Sequence, residues 1–307
     1  MQEKRYRPVF LSVDLEVTNL CNTLCSICPR ERIRREMSIM SLSTVDTIIE
    51  KLNGYKPLIT ISGIGDPLLH PQLAKIIDKF KSADHNIGVV LNIASIIDCK
   101  EEIFLEMIRK NPDHITISVP SINPLVIQKI YNGKITERQI IDRLFWIKET
   151  SAGRITIRIS SLTTGNRDYD ENGLKELAQR LKMQLWLSPI HSRGGNLGES
   201  ELYKQKGIQQ NTSCSLFVFH TFIDCRGKIL ACCHDLKGDT EFADISDGIE
   251  EILLRKQALL ERVPPFLLCN RCDEPLRFLR LPNNLERLTY RQLFKKLRAY
   301  TGRTENR

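Results

Sequence analysis

Three cysteines near the N-terminus, Cys21, Cys25 and Cys28, are separated by only three and two residues. They follow a β-like stretch at 10–17, so one loop must carry all three thiols. This spacing is too tight for thiols on separate strands and predicts a single soft-metal centre with three protein ligands. An iron–sulfur cubane needs four ligands, and an iron without a protein thiolate keeps a position for a substrate or cofactor, as a catalytic zinc does.

Zinc and disulfides are the alternative explanations of this triplet. Structural zinc sites usually pair two short cysteine hairpins, and no further Cys or His lies nearby to complete a tetrahedron. The first residues do not resemble a signal peptide, so we expect a protein of the reducing cytoplasm. Grouped thiols in that compartment favour metals over disulfides, which leaves zinc as the open alternative.

The apolar pattern after the loop predicts alternating helices and strands. Leu73, Ile76, Ile77 and Phe80 recur at helical spacing, and Ser43 is the expected N-cap of the helix before them. The predicted strands span 10–17, 58–61, 87–91, 115–119, 154–159 and 184–187. Strands joined by helices form a parallel sheet with right-handed connections. Six such units predict an α/β fold, a partial (β/α)6 barrel similar to the TIM barrel, with chemistry at the C-terminal ends of its strands.

Polar residues follow several of these strands. After the second strand, Gly63 and Gly65 let the backbone approach a ligand closely, and Asp66 supplies an acceptor before Pro67. Taken singly, such residues could be ordinary strand-end polar groups. The others lie after the fourth strand and on the fifth, and they are Ser118, Arg158 and Ser160.

In their order along the chain, the cysteine loop and these residues resemble the radical S-adenosylmethionine (SAM) superfamily. The resemblance implies a 4Fe-4S cluster on the three cysteines, whose open iron chelates SAM, and reductive cleavage of SAM to a 5′-deoxyadenosyl radical that abstracts hydrogen. The stretch Ile64 to Pro67 is similar to the family's Gly-Gly-Glu-Pro segment, with Ile64 and Asp66 as departures. The implied SAM contacts are Gly63, Gly65, Asp66, Pro67, Ser118, Arg158 and Ser160, together with the stretch 189–194.

A second group of cysteines follows residue 200. We expect a hairpin with strands at 217–223 and 228–232 around a turn at 224–227, then a helical stretch at 248–263. The pattern resembles the SPASM or twitch domain of the same family, and the short twitch form fits because the further Cys-rich run is missing. The implied ligands of a second, auxiliary 4Fe-4S cluster are Cys214, Cys232, Cys269 and Cys272. A four-cysteine zinc ribbon is the alternative.

Composition adds the domain organisation. The 307 residues are 41% hydrophobic and 27% charged, with no apolar run long enough for a membrane span, which predicts a soluble protein with room for about two domains. We expect a radical SAM core at 1–204, a twitch-like domain at 205–282 and a basic C-terminal helix or tail at 283–307.

From 276 onward there are nine basic and two acidic residues, against a formal net charge of +8 for the chain. A solvated basic face explains this, but an acidic flavodoxin or ferredoxin, a phosphorylated substrate, nucleic acid or an anionic membrane could also use it.

Two spare thiols flank the second group. Cys225 and Cys233 could return a hydrogen atom to a substrate radical, although free cysteines usually pack as small hydrophobes. His234 and Asp235 could accept a proton or could simply be turn residues. Family analogy implies dehydrogenation or epimerisation of a sugar or aminocyclitol, with modification of a ribosomally made peptide as the alternative. A zinc-stabilised binding module without enzymatic activity is the alternative from another class.

Overall fold

The computed structural model describes residues 7–151, 153, 155–166, 173–204, 214–278, 281–282, 285–289 and 292–293. Most of the expected basic tail at 283–307 therefore lies outside the described residues. Within that stretch the structure describes 285–289 and 292–293, with a 3-10 turn at Leu285–Arg287. The proposed boundary at 204–205 adjoins 205–213, which are also outside them. In the described part, no helix is both long and apolar enough to cross a membrane.

Six strands form the barrel part of the sheet. They are β1 Ser12–Leu15, β2 Leu58–Ile61, β3 Asn86–Asn92, β4 His114–Ser118, β5 Thr156–Thr163 and β6 Gln184–Pro189. Each pairs in parallel with the next strand along the chain. This arrangement confirms the predicted partial (β/α)6 barrel, because right-handed helical crossovers place successive strands side by side.

Helices connect these strands. They are α1 Leu42–Lys51, α2 Leu73–Ser82, α3 Ile93–Asp98, α4 Glu101–Arg109, α5 Pro124–Tyr131, α6 Glu137–Ser151 and α7 Leu174–Arg180. The predicted apolar stripe of α2 is buried as a whole. The expected cap of α1 was wrong, because Ser41 is the extended residue whose Oγ accepts a hydrogen bond from Thr44 N, and Ser43 already lies in the first turn.

The C-terminal region continues the barrel sheet. Strand β7 at His220–Ile223 pairs in parallel with β1, the antiparallel strand β8 at Lys228–Leu230 follows, and β9 at Ala243–Asp244 pairs with β8. The expected strand at 217–223 is shorter than predicted, because Ser215–Phe219 forms a short helix, α8. That helical turn places the Phe217 ring in edge contacts with Phe242 and Phe266. Helix α9 spans Ile249–Leu260.

The strands bury one apolar face and leave a polar one. Residues such as Leu15, Ile61 and Ile117 pack with the helices in the main hydrophobic core. Their neighbours in sequence point to the opposite, concave face, because side chains alternate along a strand. The register aligns Asn92 with Ser118 and Ser118 with Ser160 on that face. The C-terminal edge of the concave face is therefore polar. The cysteine loop begins directly above this edge.

Candidate functional site

The loop that carries Cys21, Cys25 and Cys28 is fastened to the barrel at several points. At its base, Thr18 forms an antiparallel bridge with Ile39. Further along, Ser26 donates hydrogen bonds from its N and Oγ to two carbonyl oxygens of α5. Inside the loop, Cys28 N donates to Cys25 O at 3.0 Å. The backbone is thus held in one conformation by contacts outside the loop.

The three thiols are half-buried and close enough to affect one another. Burial, reinforced by the neighbouring Cys28 and Cys21, raises the pKa of Cys25 to about 11. Burial likewise raises the pKa of Cys28. A metal binds the thiolate form of cysteine, so metal binding at this loop would displace these protons. The chemistry of this donor set fits a metal cluster.

The sequence did not predict the roles of Asn92 and Tyr131 beside Cys25. Asn92, the last residue of β3, places its Nδ2 3.6 Å from Cys25 Sγ. Its Oδ1 caps α3 by accepting from Ala94 N and also receives the hydroxyl of Tyr131. A polar residue at the C-terminal end of a strand was the available signal, but only the fold shows that it meets the loop.

Two arginines converge on Cys28 from different parts of the chain. Both Arg30 and Arg193 lower the pKa of the Cys28 thiol, although burial outweighs them. Arg193 adopts a left-handed backbone conformation with φ 51°, which is uncommon for a side chain of this size. The segment after β6 is therefore bent so that a positive charge faces the cysteine loop.

The glycine-containing segment after β2 packs directly on the same loop. Asp66 N donates to Leu20 O at 2.7 Å. A Cβ on Gly65 would lie 2.2 Å from Thr18 O, and one on Gly63 would lie 2.6 Å from the Glu16 side chain. Glycine is required at 65 by the close approach of two backbones, and at 63 by the Glu16 side chain and a φ of 135°.

Asp66 itself has a structural task. Its Oδ1 accepts from Leu68 N and caps the 3-10 turn Pro67–Leu69. Burial raises the pKa of this carboxyl. Its expected contact with the SAM amine stays a prediction.

The remaining expected SAM contacts share the concave face of the sheet. Ser118 and Ser160 are directly paired, so their side chains project side by side at the C-terminal half of β4 and β5. Arg158 lies one layer below, and its Nε donates to Gln184 Oε1 at the start of β6. These residues are brought together by the strand register, and their role toward SAM stays a prediction.

The four C-terminal cysteines line one enclosed cavity. Cys214 precedes α8, Cys232 follows β8, and Cys269 and Cys272 belong to the 3-10 turn Leu267–Arg271 and its end. Burial raises the pKa of Cys214 to about 11 and of Cys272 to about 12. Burial, together with the neighbouring thiols, also raises the pKa of Cys232. Arg277 donates to the carbonyl oxygens of Cys269 and Cys272 and fixes that turn. The donor set suits one metal centre with no open position.

One segment joins the two cysteine sites. After β6, Ser192 N donates to Asp273 Oδ1 at 2.6 Å, and Ser192 Oγ donates to Arg271 O at 2.9 Å. Two residues further on, Gly194 lines the four-cysteine cavity. Because Arg193 faces Cys28, a single turn of chain touches both sites.

A buried histidine and glutamate cluster lies beside the cavity. Glu274 Oε2 is 3.0 Å from His191 Nε2 and 3.3 Å from His234 Nε2, and His234 Nδ1 lies 3.6 Å from Cys233 Sγ. Burial lowers the pKa of His191 to about 4. Burial also lowers that of His234, but Cys233 and Glu274 outweigh it and raise the pKa to about 10. Sequence order gave no indication that His191 and Glu274 would join His234.

The other residues flagged near this region have clear positions. Cys225, expected in a solvent-facing turn, is only 3% exposed, and burial beside Glu16 and Asp224 raises the pKa of its thiol to about 12. Asp235 accepts hydrogen bonds from four backbone N–H groups and the Thr240 hydroxyl. Its carboxylate therefore builds the turn at 235–240.

Comparison with known proteins identifies the fold and the family. BtrN, solved in complex with AdoMet and 2-DOIA, matches with a TM-score of 0.58 at 15% identity over 88% of this chain and 95% of BtrN. Streptococcus suis SuiB bound to precursor peptide SuiA matches with a TM-score of 0.61 at 13% identity over 90% of this chain and 69% of SuiB. Histidine-tagged anSMEcpe with bound AdoMet gives 0.57 at 12% identity over 81% and 82% of the two chains.

These identities show a shared fold. Comparison with curated proteins gives no match. The sequence profile described as the Radical SAM superfamily matches residues 15–181, from the end of β1 to the end of α7. Since this range is more than half of the 307 residues and contains the three-cysteine loop, the chain belongs to the radical SAM superfamily, whose enzymes use a 4Fe-4S cluster and SAM.

Proposed function

We propose that this protein is a cytoplasmic radical SAM oxidoreductase that dehydrogenates a polar small molecule. Cys21, Cys25 and Cys28 hold the cluster that binds SAM, and a second 4Fe-4S cluster accepts the remaining electron of the oxidation. The proposed ligands of that second cluster are Cys214, Cys232, Cys269 and Cys272. The proposed SAM contacts are Gly63, Gly65, Asp66, Pro67, Ser118, Arg158 and Ser160.

One observation carries this proposal. Four thiols from three separate segments meet at one enclosed cavity, so a cluster there would have a cysteine for every iron. A centre without an open position cannot bind substrate and is suited to electron transfer. The first loop offers three thiols, so its cluster retains one position for SAM. This division of roles is what an oxidation by two electrons requires.

The protein's own residues would position the reaction. When bound, the first cluster and SAM supply a 5′-deoxyadenosyl radical that abstracts a hydrogen atom. Asn92 and Tyr131 hold the Cys25 side of the loop, and Arg30 and Arg193 surround Cys28 with positive charge. The paired serines on the concave face provide hydroxyls at the same end of the barrel. A polar substrate above that face would lie between the two cysteine sites.

The extent of the structural matches supports a small-molecule substrate. The chain aligns with 95% of BtrN, which was solved with 2-DOIA, but with 69% of SuiB, which was solved with its precursor peptide. A part of SuiB therefore has no counterpart in this chain. Peptide modification is an outcome of the test described next.

Anaerobic reconstitution followed by substrate screening tests the function. We expect about eight irons per chain, and a substrate consumed with SAM and dithionite should yield 5′-deoxyadenosine and a product two mass units lighter. Flavodoxin or ferredoxin should replace dithionite as electron donor. A product of unchanged mass with deuterium from solvent would indicate epimerisation, and turnover only with peptides would contradict the small-molecule proposal. Zinc as the main metal would leave a zinc-stabilised binding module instead.

A further inference from the structure

Lys256 is a fully buried lysine on α9. Its relative exposure is 0%, and its Nζ donates to His220 O at 2.6 Å and to Thr221 Oγ1 at 3.1 Å. The same Nζ lies 5.1 Å from the centre of the Phe217 ring. Among the residues that the structure describes, no carboxylate forms an ion pair with it. Two neutral oxygens and a ring face are therefore its only direct partners there.

A buried ammonium group without an anion is costly. Isolated charges are rarely retained in protein interiors, where they lose their hydration and are usually paired or neutralised. Burial accordingly lowers the pKa of Lys256 to about 7, and the Cys214 thiol is the neighbouring group that opposes this shift. A negative charge at Cys214 is thus what would keep the ammonium charged.

The surroundings of Lys256 lead to the four-cysteine cavity. Phe217, whose ring faces Nζ, lines that cavity together with Cys214. His220 and Thr221, which accept the ammonium hydrogen bonds, open β7 directly after the helix that begins beside Cys214. The cation is therefore fixed behind one wall of the cavity by two hydrogen bonds.

We propose that Lys256 is a second buried counter-ion of the auxiliary cluster, in addition to Arg277, and raises its reduction potential. This inference rests on the proposed function, because it requires a cluster on Cys214, Cys232, Cys269 and Cys272. Reduction adds one negative charge to a cluster, and a nearby cation stabilises the reduced form more strongly at low dielectric than in water. Lys256 thereby favours transfer of an electron from the substrate radical to this cluster.

A redox titration followed by electron paramagnetic resonance tests the role of Lys256. The full-length chain carrying Cys21→Ala, Cys25→Ala and Cys28→Ala would contain the auxiliary cluster alone, so one potential is read. In that background Lys256→Met removes the charge, and Lys256→Gln also keeps a hydrogen-bond donor. We expect both variants to lower the reduction potential by about 59 mV for one electron. At a fixed potential, the ratio of reduced to oxidised cluster then falls about tenfold.

Arg255→Met is the matched control. Arg255 neighbours Lys256 on α9, but it is exposed and paired with Asp247 and Glu251. Solvent screens its charge, so the potential should not change. A comparable fall in this control would show that helix disturbance, and not the buried charge, sets the potential.

The outcomes separate this inference from the proposed function. About four irons in the triple-alanine background with an unchanged potential in Lys256→Met would overturn the role of Lys256 and leave the function intact. No iron in that background would overturn the auxiliary cluster itself. Should neither neutral variant assemble the cluster, recovery in Lys256→Arg would support the counter-ion, and failure there would overturn it.

Discussion

The two cysteine regions of this protein are built in opposite ways. Cys21, Cys25 and Cys28 lie within eight consecutive residues, and the barrel only fastens the loop that carries them. The four C-terminal cysteines span 214–272 and meet only because α8, β8 and the turn at Leu267–Arg271 pack together. A local motif can leave a metal position open, whereas an assembly of distant segments can close it. The three-cysteine site can therefore be predicted from sequence spacing, whereas the four-cysteine site depends on the packing of distant segments.

Their electrostatic surroundings differ as well. Arg30 and Arg193, both only partly buried, approach the first site, while the second has the fully buried Lys256 and Arg277. A partly exposed charge is screened by water and can also meet a ligand. A fully buried one acts on its immediate neighbours with little screening. In the proposed function, the first region therefore suits ligand binding and the second suits the tuning of a buried centre.

Removing the cysteines of each region should have the largest and most distinct effects. The triple variant Cys21→Ala, Cys25→Ala and Cys28→Ala should keep about four irons and lose SAM cleavage completely, since no open iron remains. Replacing Cys269 and Cys272 with alanine should keep SAM cleavage and lose the product. Iron analysis and 5′-deoxyadenosine assays measure both. Loss of SAM cleavage in the variant without Cys269 and Cys272 would contradict the proposed division of roles between the two cysteine regions.

The link between the regions should be the next most sensitive element. Arg35 forms two hydrogen bonds with Glu16 at the end of β1 and faces Asp224 at the end of β7, and all three side chains are almost completely buried. Arg35→Met would leave the buried Glu16 carboxylate without its cation, whereas Asp224 would keep its ion pair with Arg226. We therefore expect a loss of about 3–5 kcal/mol in the free energy of unfolding. Denaturation should report it.

Arg34→Met is the control for that link, because Arg34 is the adjacent exposed residue. It should change the free energy of unfolding by less than about 0.5 kcal/mol. Equal effects of the two variants would argue that the buried ion network does not couple the regions.

A smaller effect, confined to the first region, should follow Gly65→Ala. The new Cβ would overlap Thr18 O, so the loop after β2 must move away from the cysteine loop. Overpacking of this kind costs about 1–3 kcal/mol. We expect weaker SAM binding by the reconstituted protein while the auxiliary cluster is unchanged. In Gly198→Ala the nearest atom would be 3.9 Å away, and that control should bind SAM normally.

Acid should destabilise the barrel through His114. This side chain lies against Gly88 on the concave face, and burial lowers its pKa to about 4 from an ordinary value of 6.5. A lowered pKa means that the folded state prefers neutral histidine, so its contribution is full above pH 6.5 and is lost as pH falls toward 4. The loss should amount to up to about 3 kcal/mol. His114→Gln should flatten the stability curve in that window, and an unchanged slope would contradict this assignment.

The smallest effects are expected at the spare thiols. Cys225 packs in the core beside Glu16, and Cys233 contacts His234, so neither is required if a cluster accepts the second electron. Cys225→Ala and Cys233→Ala should keep both clusters, SAM cleavage and product formation, as mass spectrometry of the product would show. Loss of product with retained 5′-deoxyadenosine in either variant would favour a hydrogen-atom donor and hence epimerisation.

The sequence by itself predicted the barrel, which the structure confirms, and the candidate three-cysteine site. The spacing of three thiols is local information. Apolar periodicity located the six barrel strands and the buried stripe of α2, because it follows directly from side-chain geometry. It missed the cap at Ser41 and the helical turn at Ser215–Phe219, where neighbouring packing selects between similar local options.

Only the tertiary structure decided what surrounds the two sites. It joined β7 to β1, buried Cys225, placed Asn92 against Cys25 and Arg193 against Cys28, and gathered His191, His234 and Glu274. It also placed Lys256 behind the four-cysteine cavity. These contacts join residues far apart in sequence, so their geometry depends on the packing of whole elements, which spacing and periodicity do not encode.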